Sequence, residues 1–384
     1  MEGLLFLDIM FAHQNRWFIT LCIGYVLAGL ALFLFSYTQV DLSLTLSQAS
    51  LFQWVEKTFQ YVGYFERPIA TTWFVGVVIL YVLLYGTILL VVRKFGMTLK
   101  NLWVIIFLTA GLLLLSYPAL SYDIFNYMFT AKTVLFYHQN PYLVTPLQFT
   151  GVEPWLSFMH WTHLPSAYTP IWIMITLPFY LLGFGYFLLT LWNFKLIAAI
   201  FYLITTWYIK KILDLKDKKN TVLAVAIFAL NPVVIFEILV SAHNDIVMMA
   251  LAMMSLYYFM IKKRTLSYLL LAFSVAAKLI TIFLYPVIVF GYKRIWALIA
   301  MCIGLALVLT QRAILPWYWV WVVPFVALLP DKKQFIIMST GVSMGLLLSY
   351  APFFYFGNWN PPVPTIELWL ILIPSLLAVA ASFI

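Results

Sequence analysis

Apolar runs close to twenty residues long, with at most one charged residue each, recur from one end of this chain to the other, and they limit its fold more than any other feature. A helix needs roughly 20 apolar residues to cross about 30 Å of hydrocarbon, and a segment in lipid must satisfy its own backbone hydrogen bonds. The runs fall near residues 17–36, 72–92, 102–118, 168–186, 188–209, 221–240, 245–261, 266–290, 295–311, 315–330, 334–352 and 366–384. A membrane barrel would show shorter, alternating segments. The spacing therefore predicts an all-α polytopic membrane protein, a helical bundle of about 11–13 membrane segments making one transmembrane domain over 1–384. Composition agrees, because 65% hydrophobic and 9% charged residues with a mean hydropathy of +1.01 leave no material for a sizeable water-facing domain. The first run is as long as a span and lacks a small-residue cleavage pattern after it, so it is expected to remain as an anchor. Cys22 and Cys302 lie inside apolar runs and read as small buried hydrophobes rather than halves of a disulfide.

The net charge of +9 does not argue for nucleic acid, because the bases gather in short stretches between apolar runs. These are Arg93, Lys94 and Lys100; Lys210, Lys211, Lys216, Lys218 and Lys219; Lys262, Lys263 and Arg264; Lys293 and Arg294; Lys332 and Lys333. The positive-inside rule places them in the cytoplasm, and it also puts His13 on that side. Residues 119–167 carry Lys132 as their one strong base, beside Asp123 and Glu153, and are expected outside.

Two places break a simple in-out count. An odd number of crossings must separate the outer 119–167 from the basic 210–220, yet two apolar segments fit there, so 168–186, with Pro170, Pro178, Gly183 and Gly185, is expected to be broken or re-entrant. The run 266–290 has bases at both ends and should go in and return, as two short helices meeting near Lys278. No G-x-x-x-x-G-K-[ST] or G-x-G-x-x-G loop occurs, so ATP-driven transport and cytosolic nucleotide-sugar chemistry have no seat. No H-E-x-x-H spacing occurs either, and His160 with His163 makes a weak pair.

Ionisable groups at a membrane edge are costly unless solvated or paired, so each polar cluster raises a functional question. SYDIFNYMFTAKTVLFYHQNPY (121–142) sets Asp123, Asn126, His138 and Asn140 among aromatics, in a connection too long to be a mere link. Asp123 reads as a site carboxylate or as a helix-end residue. SAHND puts His243, Asn244 and Asp245 side by side after NPVVIFEILV, where they could cap the next helix, form a site, or do both. Glu237 in that stretch reads as an interhelical hydrogen-bond partner. In QRAILPWYWVWVVPF, Arg312 with Trp317, Tyr318, Trp319 and Trp321 is either an interfacial aromatic belt with a snorkelling arginine or a phosphate clamp beside sugar-stacking rings. Lys278 is a second cation that could meet a phosphate, or else pair with a carbonyl or with Glu237, and Lys195 is a weaker candidate.

In this order SYDIFNY, QNPYLV, YTPIW, NPVVIFEILVSAHND, AAKLITIFLYP and LPWYWVWVVP resemble the GT-C superfamily of membrane glycosyltransferases, over about residues 100–330. The likeness is to the bacterial α-mannosyltransferases that use polyprenyl-phosphate mannose. It implies that Asp123, in the first large outer loop (119–167), is the catalytic base. Many relatives carry two acidic residues there, whereas Ile124 follows Asp123, so neither a metal nor another cofactor is expected. Two spans precede that loop, so 1–100 reads as an addition to the family core, and 37–71 has no counterpart in it.

A lipid phosphate leaves readily, so one base is enough: a carboxylate takes the proton of an acceptor hydroxyl while its oxygen attacks the anomeric carbon from the opposite face, with inversion. Glycoside hydrolysis would need two flanking carboxylates. On this reading Arg312 and Lys278 bind the donor phosphate, and Tyr122, Asn126, Asn140, Tyr142, Tyr168, His243, Asn244, Asp245 and Trp317 bind sugar or acceptor. The expected activity is transfer of a hexose, mannose first, from a polyprenyl-phosphate donor to a glycolipid or cell-envelope glycan outside a bacterial cell membrane. A flippase for a lipid-linked sugar would use the same cations and aromatics without a base, and a purely structural subunit would need none of them.

Overall fold

With no water in the hydrocarbon to pair with the backbone, the apolar runs become helices. The computed structural model describes the backbone of residues 2–383 and the side chains of 15–383, and among these there is no β-strand. His13 lies outside the described side chains. The first half contains α1 (Glu2–Tyr37), α2 (Ser50–Tyr64), α3 (Arg67–Lys94), α4 (Leu99–Leu113), α5 (Asp123–Leu135), α6 (Pro170–Leu181), α7 (Phe187–Lys216) and α8 (Thr221–Ala229). Next comes α9 (Pro232–Val234), running into the π-helical Ile235–Val240, then α10 (Asp245–Met260) and α11 (Arg264–Ala277). A 3-10 turn (Leu279–Phe283) leads to α12 (Leu284–Val289) and α13 (Arg294–Leu309). A second such turn (Pro316–Trp321) precedes α14 (Val323–Ala327), α15 (Lys333–Leu348), α16 (Ala351–Phe356) and α17 (Val363–Ser382).

The chain is thus an all-α integral membrane protein. Among the described residues five helical stretches are long and apolar enough to cross a membrane alone: Asn15–Tyr37, Arg67–Lys94, Phe187–Lys216, Lys333–Phe356 and Val363–Ser382. Lys218–Ala229 and Pro232–Val240 make a sixth if the pair, bent by 51°, counts as one. The other apolar runs yield shorter helices, namely α4, α6, α10, α11, Leu279–Val289 and α13. The segment expected to span at 315–330 is instead the second 3-10 turn and α14, where Pro316 and Pro324 each remove a backbone donor.

Small residues and polar ties fasten the bundle. Gly341 and Gly345, four apart on α15, admit α17: an added Cβ would stand 2.2 Å from Ala378 Cβ and 2.8 Å from Ile371 O. At the bend, Asn231 Oδ1 accepts from Val233 N (3.0 Å) and from Ser343 Oγ (3.1 Å). The hydroxyls of Tyr85 and Tyr202 donate to Ile227 O and Ala229 O, two carbonyls that the break in α8 leaves without helical partners.

Both anomalies of the in-out count have structural counterparts. Helix α6 has 12 residues, about 18 Å of rise and short of a bilayer, before a turn at Gly183–Gly185. Helix α11 stops at Lys278, whose backbone is extended (φ −160, ψ 127), and the following segment folds back alongside it. The rings of Tyr268 and Tyr285, on opposite sides of the break, lie 6.2 Å apart. Lys278 is therefore the tip of a helical hairpin.

The stretch 119–167, expected as a loop, is α5 followed by the 3-10 turns Pro146–Phe149 and Pro154–Phe158. A clip folds them together: Lys132 Nζ lies 2.7 Å from the buried Glu153 Oε2, which also accepts from the Tyr137 hydroxyl (2.8 Å), and the ammonium sits 4.1 Å over the Trp155 ring. Within 37–71 lies α2, amphipathic, with Glu56 and Gln60 buried and Leu51, Trp54 and Tyr61 exposed.

Candidate active site

Two of the basic helix ends meet the same short segment, Leu328–Pro330. Arg93 at the end of α3 donates to Pro330 O (3.3 Å), and Arg294 at the start of α13 donates to Leu328 O (2.8 Å). Helix α10 runs from Asp245 to the basic turn after Met260, so its 16 residues carry the chain about 24 Å to the opposite end. The polar clusters assemble at that opposite end.

Asp123 is the first residue of α5, its side chain 24% exposed and its N–H donating to Ser121 Oγ (3.3 Å). Helix end and site carboxylate, alternatives in the sequence, are compatible here. Facing it is His243, whose Nδ1 lies 3.6 Å from Asp123 Oδ2. The turn that aims this imidazole is unusual, for it leaves a π-helical stretch and passes through Ala242 at φ +59, a conformation that L-residues other than glycine seldom adopt. His243 N donates to Glu237 O (3.1 Å) and closes the turn. On the other edge of the ring, Nε2 lies 3.2 Å from Glu237 Oε2, and the Tyr350 hydroxyl donates to Glu237 Oε1 (3.0 Å). Trp317 stacks on the imidazole face, centroids 4.3 Å apart at 21°.

Asp245 begins α10 and is buried. Its Oδ1 accepts from Lys278 Nζ at the hairpin tip (2.6 Å) and from the indole N–H of Trp321. Lys278 keeps 34% of its side chain exposed, so the pair presents a cation outward over a buried anion. Burial pushes the Asp123 carboxyl above the ordinary carboxylate range; His243 and Lys278 oppose the shift, and Asp245 adds to it. One further buried lysine fixes the turns. Lys195 of α7 donates from Nζ to Ser116 O (2.6 Å) and to Val240 O (3.2 Å), which ties the approach to Asp123 to the approach to His243.

Asp123, His243, Asp245, Lys278 and Trp317 thus come together as a connected group. Tyr168 stands beside it against Tyr127 of α5 (centroids 4.6 Å); its carbonyl accepts from the Tyr142 hydroxyl (2.7 Å), and the next residue, Thr169, donates to Ala277 O at the hairpin (3.3 Å). Tyr122 turns aside to pack against His160, ring centroids 4.0 Å apart and tilted by 42°. Asn244 caps α10, its carbonyl accepting from Val247 N. Asn126 is buried with its Nδ2 unpaired among the described residues. Asn140 is exposed, and its Oδ1 accepts from Tyr142 N (3.0 Å) in a local turn. Arg312 lies exposed beyond α13, and among the described residues its guanidinium makes no hydrogen bond or ion pair with the Asp123 group. Both ring nitrogens of His243 are buried near the carboxylates of Asp123 and Glu237 without a hydrogen-bond partner among the described residues, and Asp245 Oδ1 is taken by Lys278 and Trp321 while its Oδ2 is unpaired. Among the described residues, no three His, Cys, Asp or Glu side chains form a metal-holding group.

Glu237, read from the sequence as an interhelical hydrogen-bond partner, is one, accepting from the Tyr350 hydroxyl, whereas the sequence reading missed Tyr350 and the contacts that Trp321 and Lys195 make here. An acidic residue inside an apolar run was the signal available for Glu237, and a lone lysine for Lys195. Nothing in its neighbourhood marks Tyr350.

Residues 22–294 match the family described as alpha-(1->6)-mannopyranosyltransferase, N-terminal domain (MptA_B). The chain belongs to this mannosyltransferase family. The matched stretch begins inside α1 and contains the rest of that helix, α3, α5, the His243 turn and the Lys278 hairpin. A mannosyltransferase needs a sugar donor and a glycan acceptor. No curated protein and no solved structure matches the chain.

Proposed function

We propose that this mannosyltransferase moves mannose from a polyprenyl-phosphate donor to a glycolipid or cell-envelope glycan on the extracytoplasmic side of a bacterial cell membrane, with inversion and with Asp123 as the base. The observation that carries the reading is Asp123 itself, partly exposed at the end opposite the basic loops, aimed by His243 and raised in pKa by burial. Its carboxylate accepts the acceptor's hydroxyl proton as that oxygen bonds to the anomeric carbon. The bond from that carbon to the phosphate oxygen breaks, and the electron pair leaves with the phosphate.

The half-exposed Lys278 faces the charge that builds on the departing phosphate, and its link to Asp245 holds it at the hairpin tip. Arg312, exposed beyond α13, is the second proposed donor-phosphate cation. Tyr122, Asn126, Asn140, Tyr142, Tyr168, Asn244 and Trp317 are the proposed sugar and acceptor contacts, and His243 and Asp245 orient the groups in front of them. The test is Asp123→Asn, assayed with radiolabelled polyprenyl-phosphate mannose and membrane lipids. Turnover should fall by at least about a hundredfold with expression unchanged. Normal turnover would remove the base.

A further inference from the structure

Helix α2 is built the wrong way round for a helix that faces water. Its polar residues point inward: Leu46 N donates to both oxygens of the buried Glu56 (3.1 and 3.2 Å), and the amide of the buried Gln60 donates to Asp41 O (2.8 Å). On the same side Gly63 admits the Thr38 carbonyl, and an added Cβ would stand 1.7 Å from that oxygen. Glu56, Gln60 and Gly63 follow the spacing i, i+4, i+7 of one helix face. The opposite face, Leu51, Trp54, Thr58 and Tyr61, follows i, i+3, i+7, i+10 and is exposed, Leu51 at 74% and Trp54 at 67%. Thr58 donates its hydroxyl to Trp54 O (2.8 Å), so that group is already satisfied, and the Tyr61 ring stacks on the exposed Phe65, centroids 5.4 Å apart.

The place of α2 in the bundle decides what covers this face. It joins α1 to α3, two helices long and apolar enough to cross a membrane, so its ends stand at one edge of the bilayer. That edge is the one that carries Asp123: Ser36 Oγ accepts from Tyr117 N (3.0 Å), and the Tyr37 hydroxyl donates to Leu115 O (2.8 Å), both on the approach to Asp123. Helix α3 starts three residues after α2 ends, and the exposed Phe65 and Ile69 carry the apolar face of α2 onto the first turn of that span. A face continuous with a lipid-facing helix meets the same lipid. The exposed Lys57 lies on the flank of this face, where its stem can follow the apolar surface and bring the ammonium to lipid phosphates.

We propose that α2 lies along the membrane surface at the Asp123 end, with Leu51, Trp54, Thr58, Tyr61 and Phe65 sunk into the lipid leaflet and Lys57 at the phosphates. The last residue of α2, Tyr64, interacts with Tyr122, the neighbour of Asp123 in the chain. Lipid contact therefore holds one wall of the site at the level of the headgroups, whether or not Asp123 is the base.

The experiment uses the full-length protein in phosphatidylcholine–phosphatidylglycerol vesicles, with Cys22 and Cys302 replaced by serine. A nitroxide is attached to Trp54→Cys, Tyr61→Cys or, as the control on the exposed turn before α2, Gln48→Cys. Collision rates with oxygen, which concentrates in lipid, and with a water-soluble nickel chelate are read by electron paramagnetic resonance. At 54 and 61 the ratio of oxygen to nickel collisions should be several-fold higher than at 48. A ratio at 54 and 61 equal to that at 48 overturns the proposal, because the face then looks into water. Exclusion of both reagents at 54 and 61 also overturns it, because a second copy or another protein then covers the face. If either labelled variant does not fold, Leu51→Cys on the same face gives the deciding ratio.

Discussion

Removing either end of the Lys278–Asp245 pair should destabilise the protein to very different degrees. The Asp245 side chain is 1% exposed, whereas Lys278 is 34% exposed, with 2.6 Å between them. Lys278→Met leaves a buried carboxylate whose Oδ1 keeps only the Trp321 indole and whose Oδ2 has no partner, a situation that costs about 3–5 kcal/mol. Asp245→Asn keeps an acceptor for Trp321 and lets the ammonium return to water, so about 1–2 kcal/mol is lost. The gap of about 2–3 kcal/mol corresponds to a melting midpoint roughly 4–6 °C lower for Lys278→Met, at about 2 °C per kcal/mol in a chain of this size. Thermal unfolding of the detergent-solubilised variants, followed by tryptophan fluorescence, reads this difference. Adding Asp245→Asn to Lys278→Met should raise the midpoint above that of Lys278→Met alone. Equal midpoints, or a lower one for Asp245→Asn, would refute the argument that the buried anion depends on the cation at the hairpin tip.

Because burial raises the Asp123 carboxyl and the base must be ionised, kcat/KM should fall on acidification from a midpoint above the ordinary carboxylate range; a profile flat through that region would count against it. Lys132→Met removes the cation paired to the buried Glu153, which should cost about 3 kcal/mol and open 146–158 to limited proteolysis while the helices stay protected. Gly345→Ala places a Cβ 2.8 Å from Ile371 O and should loosen α17 by about 1–3 kcal/mol, seen as faster proteolysis of the C-terminal helix.

The likeness of one lipid-facing helix to another explains which parts of this structure were legible beforehand. Runs of twenty apolar residues had to become helices, and bases gathered between them had to mark one end, because lipid excludes bare backbone and membranes sort charge. The break at Lys278 followed from bases on both flanks of one run, and the short α6 followed from parity. Residues 121–135 were different. DIFNYMFTAKTVL mixes polar and aromatic residues too evenly to read as a span, and the Lys132–Glu153 clip that holds it down joins residues far apart in the sequence.

Sequence alone determined that this chain is an α-helical membrane protein, where its bases lie, and that Asp123 and His243 are exceptional residues for such a setting. Tertiary structure decided that Asp123, His243, Glu237 and Tyr350 form one line, and that Asp245 belongs to Lys278 and Trp321. The physical reason is that helices apolar on every side carry no pattern saying which face meets which neighbour, so partners such as Glu237 and Tyr350, 113 residues apart, are chosen by packing and not by periodicity.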